Sequence, residues 1–283
     1  MILVTGATGT IGSEVVRRLA ARGEAVRALT RDPSRAPAGV EAVAGDLDRP
    51  ESLAPAVAGA ETIFLLTRGG PSAARHDLAM VEAARSAGVR KIVKLSSIGL
   101  DVLDESEVDW HREGERAVRD SGLVWTMLRP SAFASNTLRW AAPIRDGKPI
   151  PNLTADAAQG VVDPRDVAEV AADALVSPRH EGKVYSLTGP ELLTTADQAA
   201  QLGAAIGTAL TTIDVPIGSV RAQLLASGMD TAFADATITG LEIIRSGRNA
   251  VLADGVERAL GRPPGSFKTW AIDHATAFSA PAE

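Results

Sequence analysis

The sequence predicts an α/β fold in which a doubly wound parallel sheet is followed by a smaller, mainly helical carboxyl-terminal lobe. Short apolar runs rich in Val, Ile and Leu alternate with amphipathic stretches through the first half of the chain. The runs lack strict polar–apolar alternation, which is typical of strands in a parallel sheet that helices cover on both faces. A glycine-rich turn also joins the first apolar run to the first amphipathic stretch, as in open α/β sheets.

Each apolar run of the first half is interpreted as a strand. The predicted strands are residues 1–5, 25–30, 40–44, 62–67, 91–96 and 124–128. The intervening stretches are interpreted as helices, because apolar residues recur in them at helical spacing, as Ile11, Val15 and Leu19 do in the first. Further helices are predicted over residues 50–58, 72–87 and 108–121, and the last two end at Gly88 and Gly122.

The pattern changes after Arg129-Pro130. Residues 130–160 contain several prolines and a glycine and are predicted to be mostly loop. A helix over residues 165–175 follows Asp163-Pro164, because aspartate suits an N-cap and proline suits the first helical turn.

The later part of the chain is predicted to be mainly helical, with strands at residues 183–188 and 211–215. We therefore expect a nucleotide-binding domain over residues 1–130 and a helical substrate lobe over residues 131–283. Residues 160–190 are expected to return to the main sheet, because the strand at 183–188 follows a predicted helix.

The composition argues against several classes of function. The 283 residues carry a formal net charge of −6, which disfavours non-specific binding to a nucleic-acid backbone. Cysteine is absent and the four histidines lack a metal-binding spacing, so no metal is predicted. No run reaches the ~18 apolar residues of a membrane span, and no signal peptide is recognisable. We therefore expect a cytoplasmic protein, without membrane partner, that is a monomer or a homodimer.

The glycine-rich turn, GATGTIG, follows the first strand and opens the first helix. Helix amide groups and the helix dipole favour an anion at this point, and glycines permit a tight turn close to a pyrophosphate. The turn therefore predicts a dinucleotide site. Its predicted ligands are Gly6, Thr8, Gly9, Thr10, Ile11 and Gly12.

The glycine spacing in this turn resembles that of short-chain dehydrogenases/reductases, and motifs over almost the whole chain resemble their atypical NmrA-like group. The motifs are GATGTIG, TRDP, GDLDRPESL, GVRKIVKLSSIG, SGLVWTMLRPSAF, GVVDPRDVA, GKVYSLTGPE and GRPPGSFKTW. The resemblance implies a Rossmann-like fold that binds NAD(P). Members of the group include NADPH-dependent quinone reductases, triphenylmethane-dye reductases and nucleotide sensors without catalytic activity.

The residues after the second strand bear on which dinucleotide is bound. An acid there would bind the ribose 2′-hydroxyl of NAD, whereas an arginine would bind the 2′-phosphate of NADP. Both Arg31 and Asp32 are present. The resemblance implies that Arg31 is the phosphate ligand and Arg35 a second one, which favours NADP over NAD. The alternative is that both arginines are solvated loop cations.

The resemblance also assigns residues that follow the later strands. Asp46 and Leu47 would border the adenine, although Asp46 could instead cap the helix that begins near Pro50. Leu66, Thr67 and Ser96 would line the ribose and the nicotinamide, because ligands bind at the carboxyl ends of parallel strands. Pro130 and Phe133 would approach the carboxamide.

The Tyr-x-x-x-Lys pair of typical short-chain dehydrogenases is missing, and the one tyrosine is Tyr185. The corresponding helix instead contains His111 and Glu115, which are four residues apart and share a face. A nearby carboxylate would favour the imidazolium form, so His111 is a candidate proton donor. The alternatives are an ordinary pair on the helix surface or a histidine that only supports a loop. Thr67, Ser96 and His111 are the candidate catalytic hydrogen-bond donors.

Phe133, Trp140 and Phe233 are candidates, with His111, for the wall of an acceptor pocket, although the aromatic side chains could equally be core residues. The predicted function is transfer of a hydride from NADPH to a conjugated small molecule, either quinone-like or aromatic, or to a natural-product ketone. One alternative is a sensor that binds NADP(H) without turnover and regulates a protein partner. A second is an isomerase or epimerase that uses the cofactor transiently.

Overall fold

The structure is a computed structural model that describes residues 1–105 and 110–279. Within these residues the strands alternate with helices along the first half of the chain, as predicted. The strands are β1 (Ile2–Val4), β2 (Val26–Thr30), β3 (Glu41–Ala44), β4 (Thr62–Leu65), β5 (Lys91–Leu95), β6 (Val124–Pro130), β7 (Ile150–Asn152), β8 (Gln159–Gly160), β9 (Lys183–Leu187), β10 (Leu192–Leu193) and β11 (Thr212–Asp214).

The helices of the described residues include long amphipathic segments and several single turns. They are α1 (Thr10–Ala21), α2 (Ala54–Val57), α3 (Ala73–Ser86), α4 (Gly99–Val102), α5 (Arg112–Asp120), α6 (Ala141–Arg145), α7 (Pro164–Val176), α8 (Thr195–Ile206), α9 (Ile217–Ala226), α10 (Thr231–Arg245), α11 (Gly255–Leu260) and α12 (Phe267–Asp273). Short 3₁₀ turns lie at Pro33–Arg35, Pro50–Ser52, Ala134–Trp140, Pro178–His180 and Ala275–Ala277.

The main sheet confirms the predicted fold class. In the described part of the chain it has seven parallel strands in the order β3-β2-β1-β4-β5-β6-β9. Strand β1 lies between β2 and β4, with Ile2 paired to both Val26 and Thr62, so the strand order reverses at β1. Open α/β sheets bind ligands at the carboxyl ends of the strands beside such a reversal.

The first compact unit comprises Met1–Pro130, Pro164–Leu187 and Gly255–Arg262, and it contains the main sheet. Its buried core includes Leu3, Ile63, Met80, Ile92 and Met127, which come from strands and from α3. Helices α1 and α7 pack side by side, and so do α3 and α5. The sheet is therefore flanked by helices, which explains why its strands are apolar without alternation.

The second compact unit comprises Ser131–Asp163, Thr188–Asp254 and Pro263–Glu283. It contains two small two-stranded sheets, β7 with β11 and β8 with β10. Its core is built around Trp270, which stacks on Phe267 and meets the edge of Phe278. Helices α8 and α12 pack together over this core.

The prediction that residues 130–160 are mostly loop is wrong. The described chain there contains the 3₁₀ turn Ala134–Trp140, α6, β7 and β8. Pro143 lies in the first turn of α6, where a helix needs no backbone N–H, and Pro151 lies in β7, which belongs to a two-stranded sheet. The prolines are therefore compatible with regular structure at these positions.

The other predicted elements are confirmed with bounds that differ by a few residues; for example, β6 and α7 are longer than predicted, whereas β1 and α3 are shorter. The helix predicted over 108–121 is α5, and the first two residues of that prediction lie outside the described residues. The strand predicted at 211–215 is β11. Helix α11 belongs to the first unit although it follows 67 residues of the second unit. The sequence did not predict that the chain comes back to the first unit at this helix.

The single tyrosine of the chain lies in a buried polar network beside the amino end of β9. His180 Nδ1 is 2.9 Å from the Tyr185 hydroxyl, and His180 Nε2 is 2.8 Å from Asp173 Oδ2 in α7. Tyr185 and His180 are buried, and this end of the sheet is opposite the carboxyl ends of the strands. Tyr185 therefore links β9 to α7 and cannot replace the missing catalytic tyrosine.

Helices α3 and α5 approach so closely that one position in α5 requires glycine. A Cβ atom on Gly114 would lie 1.9 Å from Asp77 Oδ2, whereas a Cβ on Gly240, inside α10, would meet open space. We expect Gly114→Ala to lower the free energy of unfolding by about 3 kcal/mol through overpacking. Gly240→Ala is the matched control and should raise it by up to ~1 kcal/mol, since alanine favours a helix. Urea denaturation of both variants measures this difference, and equal effects would contradict the close approach.

Candidate functional site

The carboxyl ends of β1 and β4 are tied together by one buried side chain. The Thr5 hydroxyl donates to the Leu66 carbonyl at 2.8 Å and accepts the Leu66 N–H at 2.7 Å. This double contact fixes the position of Leu66, a predicted cofactor residue, relative to the glycine turn. The crevice at the strand-order reversal therefore has defined walls on both sides.

The glycine turn has the geometry of an anion cradle. Gly6 has a φ of +62°, a left-handed conformation that favours glycine. A Cβ on Gly12 would lie 2.1 Å from the Gly6 carbonyl oxygen, so the first turn of α1 packs directly on the turn before it. Gly9 is the N-cap of α1, and no side chain caps the helix. The first-turn N–H groups are thus free of a side-chain cap, and a diphosphate fits this position.

The remaining predicted ligands of the turn differ in exposure. Thr8 and Thr10 are exposed beside Gly9, whereas the side chain of Ile11 is buried under α1. Only the backbone of Ile11 is therefore available to a ligand. The turn as a whole fits the phosphate-binding role predicted from its sequence.

The loop after β2 engages the Asp32 carboxylate in its own turn. Asp32 Oδ1 accepts hydrogen bonds from the Ser34 N–H at 3.0 Å and from the Ser34 hydroxyl at 2.7 Å, and it caps the turn Pro33–Arg35. These bonds lower the pKa of Asp32. The exposed side chains of Arg31 and Arg35 flank this capped turn.

Asp46 and Leu47 follow β3 at the same edge of the sheet. Asp46 Oδ1 accepts the Asp48 N–H at 3.1 Å, and the Asp46 N–H donates to the Ser52 hydroxyl at 2.8 Å. The N-cap of the turn Pro50–Ser52 is Arg49 without a side-chain bond, so Asp46 does not cap it. Leu47 is partly buried against the core.

A fully buried ion pair lies beneath the end of β4. Lys94 Nζ in β5 is 2.6 Å from Asp77 Oδ2 in α3, and both side chains have no exposed surface. The Thr67 hydroxyl donates to the other carboxylate oxygen, Asp77 Oδ1, at 3.1 Å. Burial raises the pKa of Asp77, and the charge of Lys94 opposes that rise. The Thr67 hydroxyl is therefore positioned by Asp77, a residue that is not among the predicted site residues.

A second ion pair involves the predicted residue Glu115. Arg129 Nε and Nη2 donate to the two carboxylate oxygens of Glu115 at 2.8 and 2.6 Å, and Arg119 Nη2 donates at 2.9 Å. Burial alone would raise the pKa of Glu115, but the hydrogen bonds from Arg129, together with the arginine charges, lower it to about 2. Glu115 is thus a carboxylate already neutralised by arginine.

The expectation that Glu115 makes His111 an imidazolium is wrong. His111 is the N-cap residue of α5, and the Glu115 N–H donates to its carbonyl at 2.8 Å, so the two residues do lie one turn apart. Burial and the positive charge of Lys94 nevertheless lower the pKa of His111 to about 3, and they outweigh the opposite effect of Glu115. His111 is a neutral imidazole at pH 7.

The other predicted site residues fall in both units. Ser96 and Pro130 lie at the carboxyl ends of β5 and β6, where the Ser96 N–H donates to the Leu128 carbonyl at 2.7 Å. In the second unit, Trp140 is buried in the core, Phe133 is partly buried beside its bridge to Val162, and Phe233 is partly buried in α10. Trp140 is thus a core residue, as the alternative interpretation held.

The sequence carried a signal for the missed residues. Asp77 falls on the apolar stripe of α3 with Ala73, Met80 and Ala84, and Lys94 interrupts an apolar strand. A charge at a buried position of two neighbouring elements indicates an internal pair, because unpaired buried charges are strongly unfavourable. Neither element alone identifies the partner.

Two further structural findings concern other classes of function. In residues 1–105 and 110–279, no group of three or more His, Asp or Glu side chains is arranged to hold a metal ion. Over the same described ranges, no helix has the length and apolar character that a membrane crossing requires.

The low pKa of His111 predicts acid sensitivity of the cofactor-free protein. In the unfolded chain His111 binds a proton near pH 6.5, whereas in the folded chain it does so near pH 3. His111 therefore carries no penalty well above pH 6.5. Below that pH, its protonation in the unfolded chain lowers the free energy of unfolding by about 1.4 kcal/mol per pH unit. Urea denaturation between pH 7 and 5 should show this slope, and His111→Gln should reduce it. Part of the slope remains in the variant, because burial also lowers the pKa of His180. An unchanged slope in His111→Gln would contradict the low pKa.

Comparison with known proteins agrees with this geometry. A family described as NAD(P)H-binding matches residues 6–178 of the chain. The chain is 40% identical to a (4-alkanoyl-5-oxo-2,5-dihydrofuran-3-yl)methyl phosphate reductase of Streptomyces griseus subsp. griseus, over 99% of both chains. It is 35% identical to an NAD(P)H azoreductase of Xenophilus azovorans, over 99% of this chain and 100% of that one.

The solved structures that resemble this chain are also reductases. An NADPH-dependent quinone oxidoreductase of Escherichia coli complexed with NADPH is 25% identical, with a TM-score of 0.83 over 96% of this chain and 99% of that one. The triphenylmethane reductase of Citrobacter sp. is 25% identical, with a TM-score of 0.81 over 97% and 98% of the two chains. The chain therefore belongs to the NAD(P)H-binding family, and within it to the oxidoreductases of the atypical, NmrA-like short-chain dehydrogenase/reductase type that its sequence predicted.

Proposed function

We propose that the chain binds NADPH in preference to NADH and reduces a conjugated small molecule by hydride transfer. The observation that carries the acceptor class is the protonation state of the residues around the end of β5. His111 is neutral at pH 7, and Glu115 is ionised and held by Arg129. Within the described part of this site, neither group holds a proton ready to transfer near neutral pH.

The lack of such an acid decides which acceptors the site suits. Hydride addition to an isolated ketone makes a strongly basic alkoxide, which needs a proton donor in place. Hydride addition to a conjugated acceptor gives a delocalised product, which hydrogen bonds and nearby positive charge stabilise without a matched acid. The site therefore favours the conjugated acceptor.

The relatives support this class of acceptor. Their names describe a dihydrofuranone with a ring double bond conjugated with its oxo group, an azo compound, a quinone and triphenylmethane dyes. Each is a conjugated π system that takes up a hydride. We propose that the substrate of this chain belongs to the same chemical class.

Residues of the first unit then have distinct roles. The turn at Gly6–Gly12 holds the diphosphate, and the nicotinamide supplies the hydride when the cofactor is bound. Ser96 at the end of β5 and His111 at the beginning of α5 hydrogen-bond the acceptor molecule, and Thr67 at the end of β4 contacts the cofactor. We also propose that the protein is cytoplasmic and acts as a monomer or homodimer.

The loop after β2 supports NADPH as the preferred cofactor. Asp32 Oδ1 accepts two hydrogen bonds from Ser34 within its own turn. Arg31 and Arg35 remain exposed on either side, with guanidinium groups suited to a 2′-phosphate. With Oδ1 engaged, Asp32 offers mainly Oδ2 to the 2′-hydroxyl of NAD, whereas the two arginines offer several donors to a 2′-phosphate.

The first test of the proposal is reductase activity on a panel of acceptors. We expect NADPH to be consumed with quinones, azo dyes and unsaturated lactones at rates at least about 10-fold above those with isolated ketones, as expected from ~1.4 kcal/mol of differential stabilisation. The fall in absorbance of the reduced nicotinamide measures the rate. Faster turnover of isolated ketones would contradict the acceptor class, and tight NADPH binding without any turnover would favour the sensor.

The second test concerns the 2′-phosphate. We expect Arg31→Ala to weaken NADPH binding by about 10-fold, since one charge-assisted contact of ~1.4 kcal/mol is lost, and to leave NADH binding nearly unchanged. Calorimetric titration with both cofactors measures this ratio. Arg85→Ala, which removes an exposed arginine from the end of α3, is the matched control. An equal loss for NADPH and NADH would rule out Arg31 as the phosphate ligand.

A further inference from the structure

We infer that the buried Asp77–Lys94 pair is a positioning device for Thr67. The pair commits the hydroxyl proton of Thr67 to Asp77, so that Thr67 meets the bound dinucleotide as a hydrogen-bond acceptor for one of its N–H or O–H groups. This inference rests on the proposed cofactor site, and it reverses the donor role that the sequence predicted for Thr67.

The contacts of Asp77 define the direction of every hydrogen bond in this network. Lys94 Nζ lies 2.6 Å from Oδ2, and the Thr67 hydroxyl lies 3.1 Å from Oδ1. An ammonium group can only donate, and a carboxylate can only accept. The proton of Thr67 therefore points toward Asp77, and only oxygen lone pairs remain for another partner.

The packing around Asp77 holds this arrangement in place. Asp77 and Lys94 have no exposed surface, and Gly114 of α5 approaches so closely that any side chain there would collide with Asp77 Oδ2. The carboxylate consequently has no room to rotate away from Thr67. Four segments of the first unit, namely α3, α5, β5 and the end of β4, thus define one hydroxyl orientation.

Stability alone does not account for the pair. Removing two charges from water costs more free energy than apolar residues of the same volume would, so a buried ion pair is a weak source of stability. Thr67 lies just after β4, beside Leu66 and next to the strand-order reversal where the glycine turn lies. The network therefore ends at the rim of the cofactor crevice, which gives it a role at the site.

The Asp77→Asn variant tests the direction of the hydrogen bond with little change of shape. Because Lys94 Nζ must face the amide oxygen, the amide nitrogen must face Thr67 and donate to it. The Thr67 proton is then released from residue 77 and can occupy the position that faces the ligand, so the acceptor is no longer held in place. We expect NADPH and NADP⁺ to bind about 10-fold more weakly, as for one lost hydrogen bond.

Variants of Thr67 provide the matched comparison. Thr67→Ser keeps the hydroxyl and should bind NADPH within about 2-fold of the original chain, whereas Thr67→Val should lose about 10-fold. The double variant Thr67→Val/Asp77→Asn should bind no more weakly than Thr67→Val, because Asp77 acts through a hydroxyl that is already gone. Calorimetric titration with NADPH and with NADP⁺ measures all four proteins.

Two results would overturn the inference. The first is a double variant whose loss of NADPH affinity is the product of the two single losses, which a merely structural role of Asp77 predicts. The second is equal NADPH affinity of Thr67→Val and Thr67→Ser. If Asp77→Asn does not fold, the valine–serine comparison still decides whether the hydroxyl is used. Absence of NADPH binding by the unchanged chain would instead refute the proposed function.

A measurement without cofactor tests the proton position directly. In the unliganded protein, the Thr67 hydroxyl proton should exchange slowly with water and give a nuclear Overhauser contact to the methylene protons of Asp77. A hydroxyl proton that exchanges freely in the folded protein would show that it is not committed to Asp77, and would overturn the inference.

Discussion

The close approach of α1 to the carbonyl of Gly6 is the constraint on which the candidate site depends. It requires glycine at position 12 and a left-handed backbone at position 6, and it brings the uncapped first turn of α1 to the strand-order reversal. Thr5 fixes the opposite wall by binding both backbone groups of Leu66. The proposed diphosphate position is thus bordered by backbone N–H groups, with the exposed side chains of Thr8 and Thr10 beside it.

Two internal ion pairs then determine the electrostatics near the end of β5. Asp77 is paired with Lys94 and Glu115 with Arg129, so each carboxylate already has a cationic partner. His111, the N-cap residue of α5, is neutral at pH 7. The candidate site consequently offers hydrogen bonds and fixed charges, and each of its two carboxylates is neutralised by a cation. This is an environment that stabilises charge redistribution more readily than it transfers protons.

The fold was predictable because each element carries its own signal. Buried strands are continuous apolar runs, and glycines end the helices, so the main sheet and its flanking helices followed from local sequence. Residues 130–160 were misread because proline and glycine indicate turns only on average, and Pro143 occupies a first helical turn. The glycine turn was also predictable, because its glycine spacing and its position between a strand and a helix are visible in a short stretch of sequence.

The charge state of the site was not predictable, because it depends on partners that are distant in sequence. Glu115 is four residues from His111, which suggested a His–Glu pair, but its oxygens bind Arg129 from β6. Lys94 comes from β5 and lowers the pKa of His111, and nothing in α5 reveals it. Sequence spacing predicts that two side chains share a helix face. Which charged group from another element lies beside each of them depends on the tertiary fold.

The loop after β2 shows how the same principle bears on cofactor choice. Arg31 and Asp32 are adjacent, so a motif defined by residue type finds both an NADP ligand and an NAD ligand in one place. Asp32 binds Ser34 two residues later, a local Asx-type contact that uses the carboxylate as a turn-forming group. Asp32 Oδ1 is engaged within its own turn, so the proposed preference for NADPH rests on Arg31 and Arg35, whose side chains are exposed beside that turn. The identity of a charged residue therefore indicates specificity only after its nearest hydrogen-bond partners are known.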